Sequence, residues 1–359
     1  MRLFTAIASL ILASMPALAQ GPPDKASLDD VVQAYSDSKA LGQKASTFLH
    51  ARAAYRVARK IYPKEATKLA SFSWLYAQAA ATYQDPLALY LFEKTLNYHT
   101  AAYGHADVRI AAPLIDAADE ALHQNEPEMA YAWYSKAHKL LAWDQPNGSF
   151  EAARILIGLA RLHRAADQLD KAREKAQKAV DLLYQHYSDG SPTSIASLIY
   201  RHGEIEQATG HVTEAFDAYT QSLSLFLEHD ASAPEIYSLH KRLVEVNHKF
   251  EREDEVTAHC IAAQKFHYTH KRSPISGIVY DPTGRLSGSQ RQKQGKIRAT
   301  FRKGTDCRLH DIEIHHADGI TEKEAETLLA QAYYAPIMMR GIISKGEYLT
   351  LSTLAVYKN

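Results

Sequence analysis

The chain has 359 residues, 46% apolar and 23% charged, which excludes an intrinsically disordered protein and leaves room for two domains or one extended array. Its 41 Lys and Arg equal its 41 Asp and Glu, so net charge gives no reason to expect a nucleic-acid partner. The charge is uneven, however: Lys265 to Lys303 holds ten basic residues and one acid, Asp281.

The chain opens with MRLFTAIASLILASMPALAQ. A basic Arg2, an apolar run and the closing Ala17-Leu18-Ala19 predict a signal peptide over residues 1–19, cleaved after Ala19. The apolar run is 17 residues long, at the short limit for a membrane span, and Pro16 interrupts it. An uncleaved inner-membrane anchor is therefore the alternative. No later stretch is apolar enough to span a bilayer, and no Cys follows the signal to carry a lipid. These features predict a periplasmic protein, attached to the membrane only if the signal is retained.

Helical patterns then recur at a fixed beat. In GHVTEAFDAYTQSL, residues 210–223, Ala215, Tyr219 and Ser222 share one helical face. The same face recurs at Ala88 and Phe92, at Ala130, Tyr134 and Ala137, at Ala172, Ala176 and Ala179, and at Val256, Cys260 and Ala263. The anchors Ala88, Ala130, Ala172, Ala215 and Val256 are 42, 42, 43 and 41 residues apart. Ser46, with His50 and Ala53, extends the series one step back, although Ser46 is polar. Turn-forming residues keep the same rhythm at 62–65, 103–107, 144–148, 187–192 and 229–234. A second apolar-periodic stretch precedes each anchor helix, as with Ile155, Leu159 and Leu162. Each period thus predicts two helices of roughly 15–18 residues, which bury their apolar faces only by stacking on the next pair.

This pattern resembles the tetratricopeptide repeat family in its longer, 42-residue form, similar to kinesin light chain repeats, over residues 27–268 as six helix pairs. The turn YGHADV, with Asp107-Val108, also resembles the turn between repeats of that form. The small residue that the family carries in its first helix is Ala118, Ala160 and Gly203 in three repeats, but Tyr76 and Val244 in two. The resemblance implies a right-handed α-solenoid whose first helices line a groove for peptide or protein partners. Positions equivalent to groove-lining ones are Arg154, Arg161 and Arg164, then Tyr200, Glu204 and Gln207, then Lys241, Glu245 and His248. The arginines suggest selection of an acidic or carboxylate-bearing peptide; a solvated helix face is the competing reading.

After about His270 the helical period ends. A basic linker or first strand spans 269–294, and strand alternation begins at residue 295. Ile297, Ala299 and Phe301 point one way and Lys296, Arg298, Thr300 and Arg302 the other. KGTDC is a turn, RLHDIEIHH a second strand with Ile312 and Ile314 on one face, and EYLTLSTLAVY a last strand. Between them Thr321 and Glu324 form a capping-box pattern ahead of the stripe Ala325, Leu328, Leu329 and Ala332, and Pro336 stops the helix. The result is a small α+β domain over 295–359. Gly295, Ile297, Ala299, Phe301 and Ala335-Pro336 resemble the TonB C-terminal domain, although the usual Tyr-Pro entry and a Pro-rich spacer are absent. That resemblance implies docking of an outer-membrane transporter segment by strand addition at an open sheet edge.

The chain carries no strong chemical motif. Ser36 and Lys39 match Ser-x-x-Lys, but without a Lys-Thr-Gly partner. Asp311, Glu313 and His315 alternate onto one strand face, which reads either as a set of metal ligands or as a plain polar surface opposite Ile312 and Ile314. Cys260 and Cys307 could pair in an oxidising compartment; Cys260 reads equally well as a small buried apolar residue, and the spacing makes neither a disulfide framework nor a metal knuckle. No cofactor is expected. The sequence therefore predicts a non-enzymatic periplasmic scaffold with protein partners among envelope or outer-membrane transport components. The alternative is a membrane-anchored, TonB-like energy transducer.

Overall fold

The computed structural model describes residues 25–144, 150–185, 190–271, 278–283, 285–286, 293–336, 338–339, 342–343 and 349–357. The predicted signal peptide, residues 1–19, lies outside the described residues, as do parts of the predicted turns at 144–148 and 187–192 and of the segment 269–294. Among the described residues, no helix is long and apolar enough to cross a membrane.

The chain forms two compact units, Met1–Ala166 and Asp167–Asn359. The first contains α1 (Lys25–Ala40), α2 (Lys44–Ile61), α3 (Ala66–Tyr83), α4 (Ala88–Tyr103), α5 (Ala111–His123), α6 (Pro127–Asp144) and α7 (Phe150–Ala165). The second begins with α8 (Leu169–Gln185), α9 (Pro192–Ala208), α10 (Val212–His229), α11 (Glu235–Lys249) and α12 (Glu253–Lys271). In chain order the helices alternate as first and second members of a repeat. Their second members begin at Lys44, Ala88, Pro127, Leu169, Val212 and Glu253, close to the 42-residue beat of the sequence.

A backbone feature keeps the same beat. One residue in each turn between a first and a second helix has a left-handed φ: Gly42 (65°), Gln84 (62°), Asn125 (62°), Asp167 (57°), Gly210 (86°) and Glu251 (58°). Reversing the chain within two or three residues requires that conformation, which Gly adopts freely and Asn and Asp tolerate. Gln84 and Glu251 adopt it at a cost of roughly 1 kcal/mol each.

The anchors explain the close approach of the helices. Ala88, Ala130, Ala172, Ala215 and Val256 are fully buried, as are Tyr134 and Tyr219 one turn later. The first pair departs from the sequence register. Ser46 and His50 are only half-buried, and the buried stripe of α2 runs through Thr47, Ala51, Ala54 and Ala58. The register lies one residue later than Ser46, His50 and Ala53, and puts Thr47 five residues after Gly42, matching the step from Gly210 to Ala215. The small residue of α9 has a similar logic: a Cβ at Gly203 would lie 2.7 Å from the Tyr219 ring. Gly203→Ala should therefore cost about 1–3 kcal/mol in urea denaturation, despite its better helix propensity. An unchanged midpoint would show that the ring moves aside freely.

The second unit continues into a small sheet: β1 (Ile278–Tyr280), β2 (Lys293–Lys303), β3 (Leu309–Asp318), α13 (Glu322–Gln331), β4 (Tyr333–Tyr334), β5 (Met338–Met339), β6 (Ile342–Ile343) and β7 (Leu349–Tyr357). β2 is the centre of a three-stranded antiparallel sheet of order β3-β2-β7, and β1 pairs with β4. Ile297, Ala299 and Phe301 are fully buried beneath Ala325, Leu328 and Leu329 of α13. Thr321 caps that helix, its Oγ1 accepting from the Glu324 N–H at 3.2 Å. Asp311 has a left-handed φ of 49°, at a point where the pairing of β3 with β2 slips in register.

This α+β region is not tethered loosely after the repeats. Val244 of α11 and Val256 and Cys260 of α12 share one buried cluster with Val279, Cys307, Tyr333 and Ala335. Within it Cys260 and Cys307 form a disulfide, Cα atoms 6.5 Å apart, so no cysteine remains free. The sequence leaves this pairing open, and the partners meet through packing of the sheet on α12.

Candidate functional site

The polar faces of the first helices carry the charged residues of interest, and these mostly engage one another. In the first unit, Asp116 of α5 accepts from Trp74 Nε1 (2.8 Å), Gln78 Nε2 (2.7 Å) and Arg154 Nη2 (2.8 Å). Arg154 also donates to Asp119 (2.6 Å), and Asp119 accepts from the buried Tyr134 hydroxyl. Arg161 and Arg164 are half-buried on the same helix as Arg154, and the Arg161 charge opposes the rise that burial and Asp119 impose on the Tyr134 hydroxyl pKa.

The second unit repeats this arrangement. Glu204 of α9 is buried and accepts from Arg201 (2.8 Å) and from Arg242 of α11 (3.0 Å), and Arg242 reaches Glu245 at 3.3 Å. Gln207 accepts from the Tyr219 hydroxyl at 2.7 Å, and Tyr200 packs 5.8 Å from the Tyr219 ring. These bonds between successive first helices have a sequence signature. Gln78 to Asp116, Asp116 to Arg154 and Glu204 to Arg242 are each 38 residues apart, and Trp74 to Asp116 is 42. One separation is the repeat period and the other is that period less one helical turn. Trp74, Gln78, Asp116, Asp119, Arg201 and Arg242 were not singled out from the sequence, though these separations mark them.

Where the last first helix, α11, meets the sheet, the sequence-predicted positions converge. Tyr200, Lys241 and Glu245 line a cleft of about 440 Å³ together with Tyr237, Ser238, Arg242 and residues 278–281. His248 instead packs its ring 5.6 Å from Tyr280 and 5.5 Å from Tyr333, and its Nδ1 lies 2.9 Å from the Tyr333 hydroxyl. That hydroxyl donates to Glu253 at 3.0 Å, while Arg308 lies 3.5 Å above the Tyr333 ring. Burial keeps the Tyr333 hydroxyl protonated far above its ordinary range.

Asp311, Glu313 and His315 are exposed on β3. Asp311 pairs with Arg302 and His315 lies against the Thr300 hydroxyl, both on β2. Among the described residues, no group of three or more His, Cys, Asp or Glu has a metal-binding arrangement.

One buried pair has a direct pH consequence. His240 of α11 and His259 of α12 bring their Nδ1 atoms to 3.0 Å, which requires one ring to donate and the other to keep its lone pair. Burial, and then His259, push the His240 pKa down to about 4, while burial lowers that of His259 against a nearby Glu255. An unfolded His titrates near 6.5. The stability contribution of His240 is therefore intact above about pH 6.5 and lost as the pH falls from there toward 4. His240→Gln should flatten the stability profile between pH 6.5 and 4 by about 2–3 kcal/mol in urea titrations at several pH values. An unchanged slope would put the pH dependence elsewhere.

No protein-family model and no curated protein matches the sequence. Solved structures with a similar chain path include BtubC from P. vanneervenii, 15% identical, with 58% of this chain and 83% of that one covered at a TM-score of 0.46. The TPR-like repeats of a putative kinesin light chain from Podosopora anserina are 15% identical, with 58% and 100% covered at a TM-score of 0.43. A Rap protein complexed with competence and sporulation factor is 13% identical, with 68% and 75% covered at a TM-score of 0.48. At such scores, the helix-pair repeat of this chain rests on its own helix positions and turn geometry.

Proposed function

We propose that the protein is a non-enzymatic interaction scaffold of the bacterial periplasm. Its tetratricopeptide-like helix pairs hold a peptide or protein partner, and its TonB-like C-terminal domain docks a second by strand addition. The observation that carries this reading is the open sheet: among the described residues, β3 pairs only with β2, which leaves its other edge of backbone donors and acceptors open, whereas β7 gives the N–H of Tyr357 to the Arg285 carbonyl at 2.8 Å. The lateral bonds at 38- and 42-residue separations add support, because within each unit they align equivalent faces of adjacent first helices. The buried disulfide fits an oxidising compartment.

The test is crosslinking in cells with a photoreactive residue at exposed Glu313 on β3, followed by mass spectrometry. Capture of an outer-membrane transport component is the expected outcome; crosslinks indistinguishable from those of a probe at exposed Lys64 would remove the docking role. Sequencing of the native N-terminus checks the compartment. Gln20 as first residue supports a free periplasmic scaffold, and an intact Met1 in the inner-membrane fraction supports a transducer.

A further inference from the structure

A strong basic surface lies on α2, a second helix and therefore not one of the predicted groove-lining helices. This helix carries five Lys and Arg residues and no acid. Residues 44–83 hold seven basic residues and one acid, Glu65. Arg52, Arg56, Arg59 and Lys60 stand at i, i+4, i+7 and i+8, so they form one stripe along the helix, and all four are exposed. Exposed acids do stand in the adjoining elements: Asp29 and Asp30 in α1, Glu65 in the turn after α2, and Glu93 in α4. Among the described residues, however, none of the four cations forms an ion pair with a carboxylate. Half-buried Asp85 accepts from the Leu87 N–H at 2.8 Å.

Aromatic and apolar side chains edge the stripe. Tyr83 stacks on Phe48 with ring centroids 4.9 Å apart, and Phe48 and Tyr55 pack against Tyr76 at 5.7 and 5.8 Å. The Tyr55 hydroxyl donates to that of Tyr98 at 3.3 Å. The Arg59 guanidinium and the Lys94 ammonium lie 5.9 and 5.8 Å from the Tyr55 ring centroid. Burial, Tyr98 and then Tyr90 raise the Tyr55 hydroxyl pKa against the pull of Arg59, which puts Tyr90 beside the same stripe. Tyr83, Leu87 and Tyr90 are 46%, 57% and 58% exposed.

Unpaired cations bordered by exposed tyrosines and a leucine match an anionic bilayer surface. The basic heads reach lipid phosphates, while amphipathic rings and Leu87 sit at headgroup depth. Single-stranded nucleic acid is served less well, because Tyr76 and Tyr83 already stack within the protein and Leu87 offers no ring to a base. We propose that this face of α2, with Tyr83, Leu87 and Tyr90, docks on the surface of a bilayer rich in anionic phospholipid. The inference is independent of the scaffold reading, since it uses neither the β3 edge nor the first helices.

Vesicle flotation of the mature, oxidised chain tests the proposal. Beginning at Gln20, that chain lacks the apolar run of residues 3–19. Vesicles of equal parts phosphatidylcholine and phosphatidylglycerol should bind it at least about tenfold more tightly than phosphatidylcholine alone, and molar salt should abolish the difference. Combined Arg52→Gln, Arg56→Gln and Arg59→Gln should weaken binding to the mixed vesicles about a hundredfold, the usual contribution of three basic side chains at a charged membrane. Combined Lys171→Gln, Lys175→Gln and Lys178→Gln remove the same charge from α8 and should change binding by less than about threefold. Tyr90→Ala should weaken binding while leaving its salt dependence unchanged. Circular dichroism melts check that the variants fold, and the salt dependence of the unaltered protein decides the case if one does not. Equal binding to both vesicle types, or an α2 variant that behaves like the α8 variant, would overturn the assignment. Binding to oligothymidylate or polyglutamate as tight as to the mixed vesicles would also overturn it, in favour of a nucleic acid or an acidic protein. None of these results bears on whether β3 captures a partner.

Discussion

Replacing both Cys260 and Cys307 with Ala should lower the stability of the second unit by about 2–4 kcal/mol. The bridge closes a loop of 47 residues, for which the chain-entropy account gives about 4 kcal/mol as its upper figure. Removing it frees the unfolded chain and also takes two sulfurs from the cluster of Val244, Val256, Val279 and Tyr333. The covalent link joins α12 to the turn between β2 and β3, where Cys307 has a left-handed φ of 62°. Without the link, that cluster and polar contacts such as Glu253 with Arg308 at 3.1 Å hold the sheet to the last helix pair. Equilibrium urea denaturation of the wild type, with and without thiol, and of the double variant measures the effect. Reduced wild type and variant should share a midpoint below that of the oxidised protein. Equal midpoints for oxidised and reduced protein would mean that packing alone fixes the junction. The loss should be absent from transitions reported by Trp74 and Trp133, which lie in the first unit.

Much of the helical array was legible because close packing restricts residue choice. Where two helices approach, only small side chains fit, and Ala130, Ala172 and Ala215 record that constraint at a fixed period. The first copy slipped by one residue because Ser46 and Thr47 are both small and polar, so size gave no register. Its true phase is carried by Gly42, whose φ is left-handed like that of Gly210. The same turn position was unreadable at Gln84 and Glu251, whose residue types do not signal a left-handed φ.

The α+β region showed its strands through strict alternation at Ile297, Ala299 and Phe301. Its attachment to α12 was not visible, because a tertiary contact leaves no periodicity. The same limit affected the candidate site. A charged residue on a helix face reads alike whether it meets solvent, a ligand or a neighbour. Only the neighbour's position decides, as Glu204 and Arg242 demonstrate across 38 residues.

Arg154 shows how that distinction becomes measurable. As a ligand contact, its loss would weaken partner binding and spare the fold. Its geometry predicts the opposite: Arg154→Met should destabilise the first unit by about 2–4 kcal/mol, the range for breaking a largely buried ion pair, reduced for partial exposure. The guanidinium side chain is 23% exposed, and it bridges Asp116, 14% exposed, and Asp119, 40% exposed. Removing it leaves two carboxylates on one face of α5, at i and i+3, with the repulsion uncompensated. Asp116 keeps its bonds from Trp74 and Gln78, so its charge cannot simply turn to solvent. The penalty therefore comes from the stranded carboxylates more than from the lost attraction. Combining Arg154→Met with Asp116→Asn and Asp119→Asn should recover a substantial part of the loss, and Trp74 fluorescence in urea would follow the transition. If the triple variant is less stable than the single one by the sum of separate losses, the three residues act independently and the ladder is not a unit.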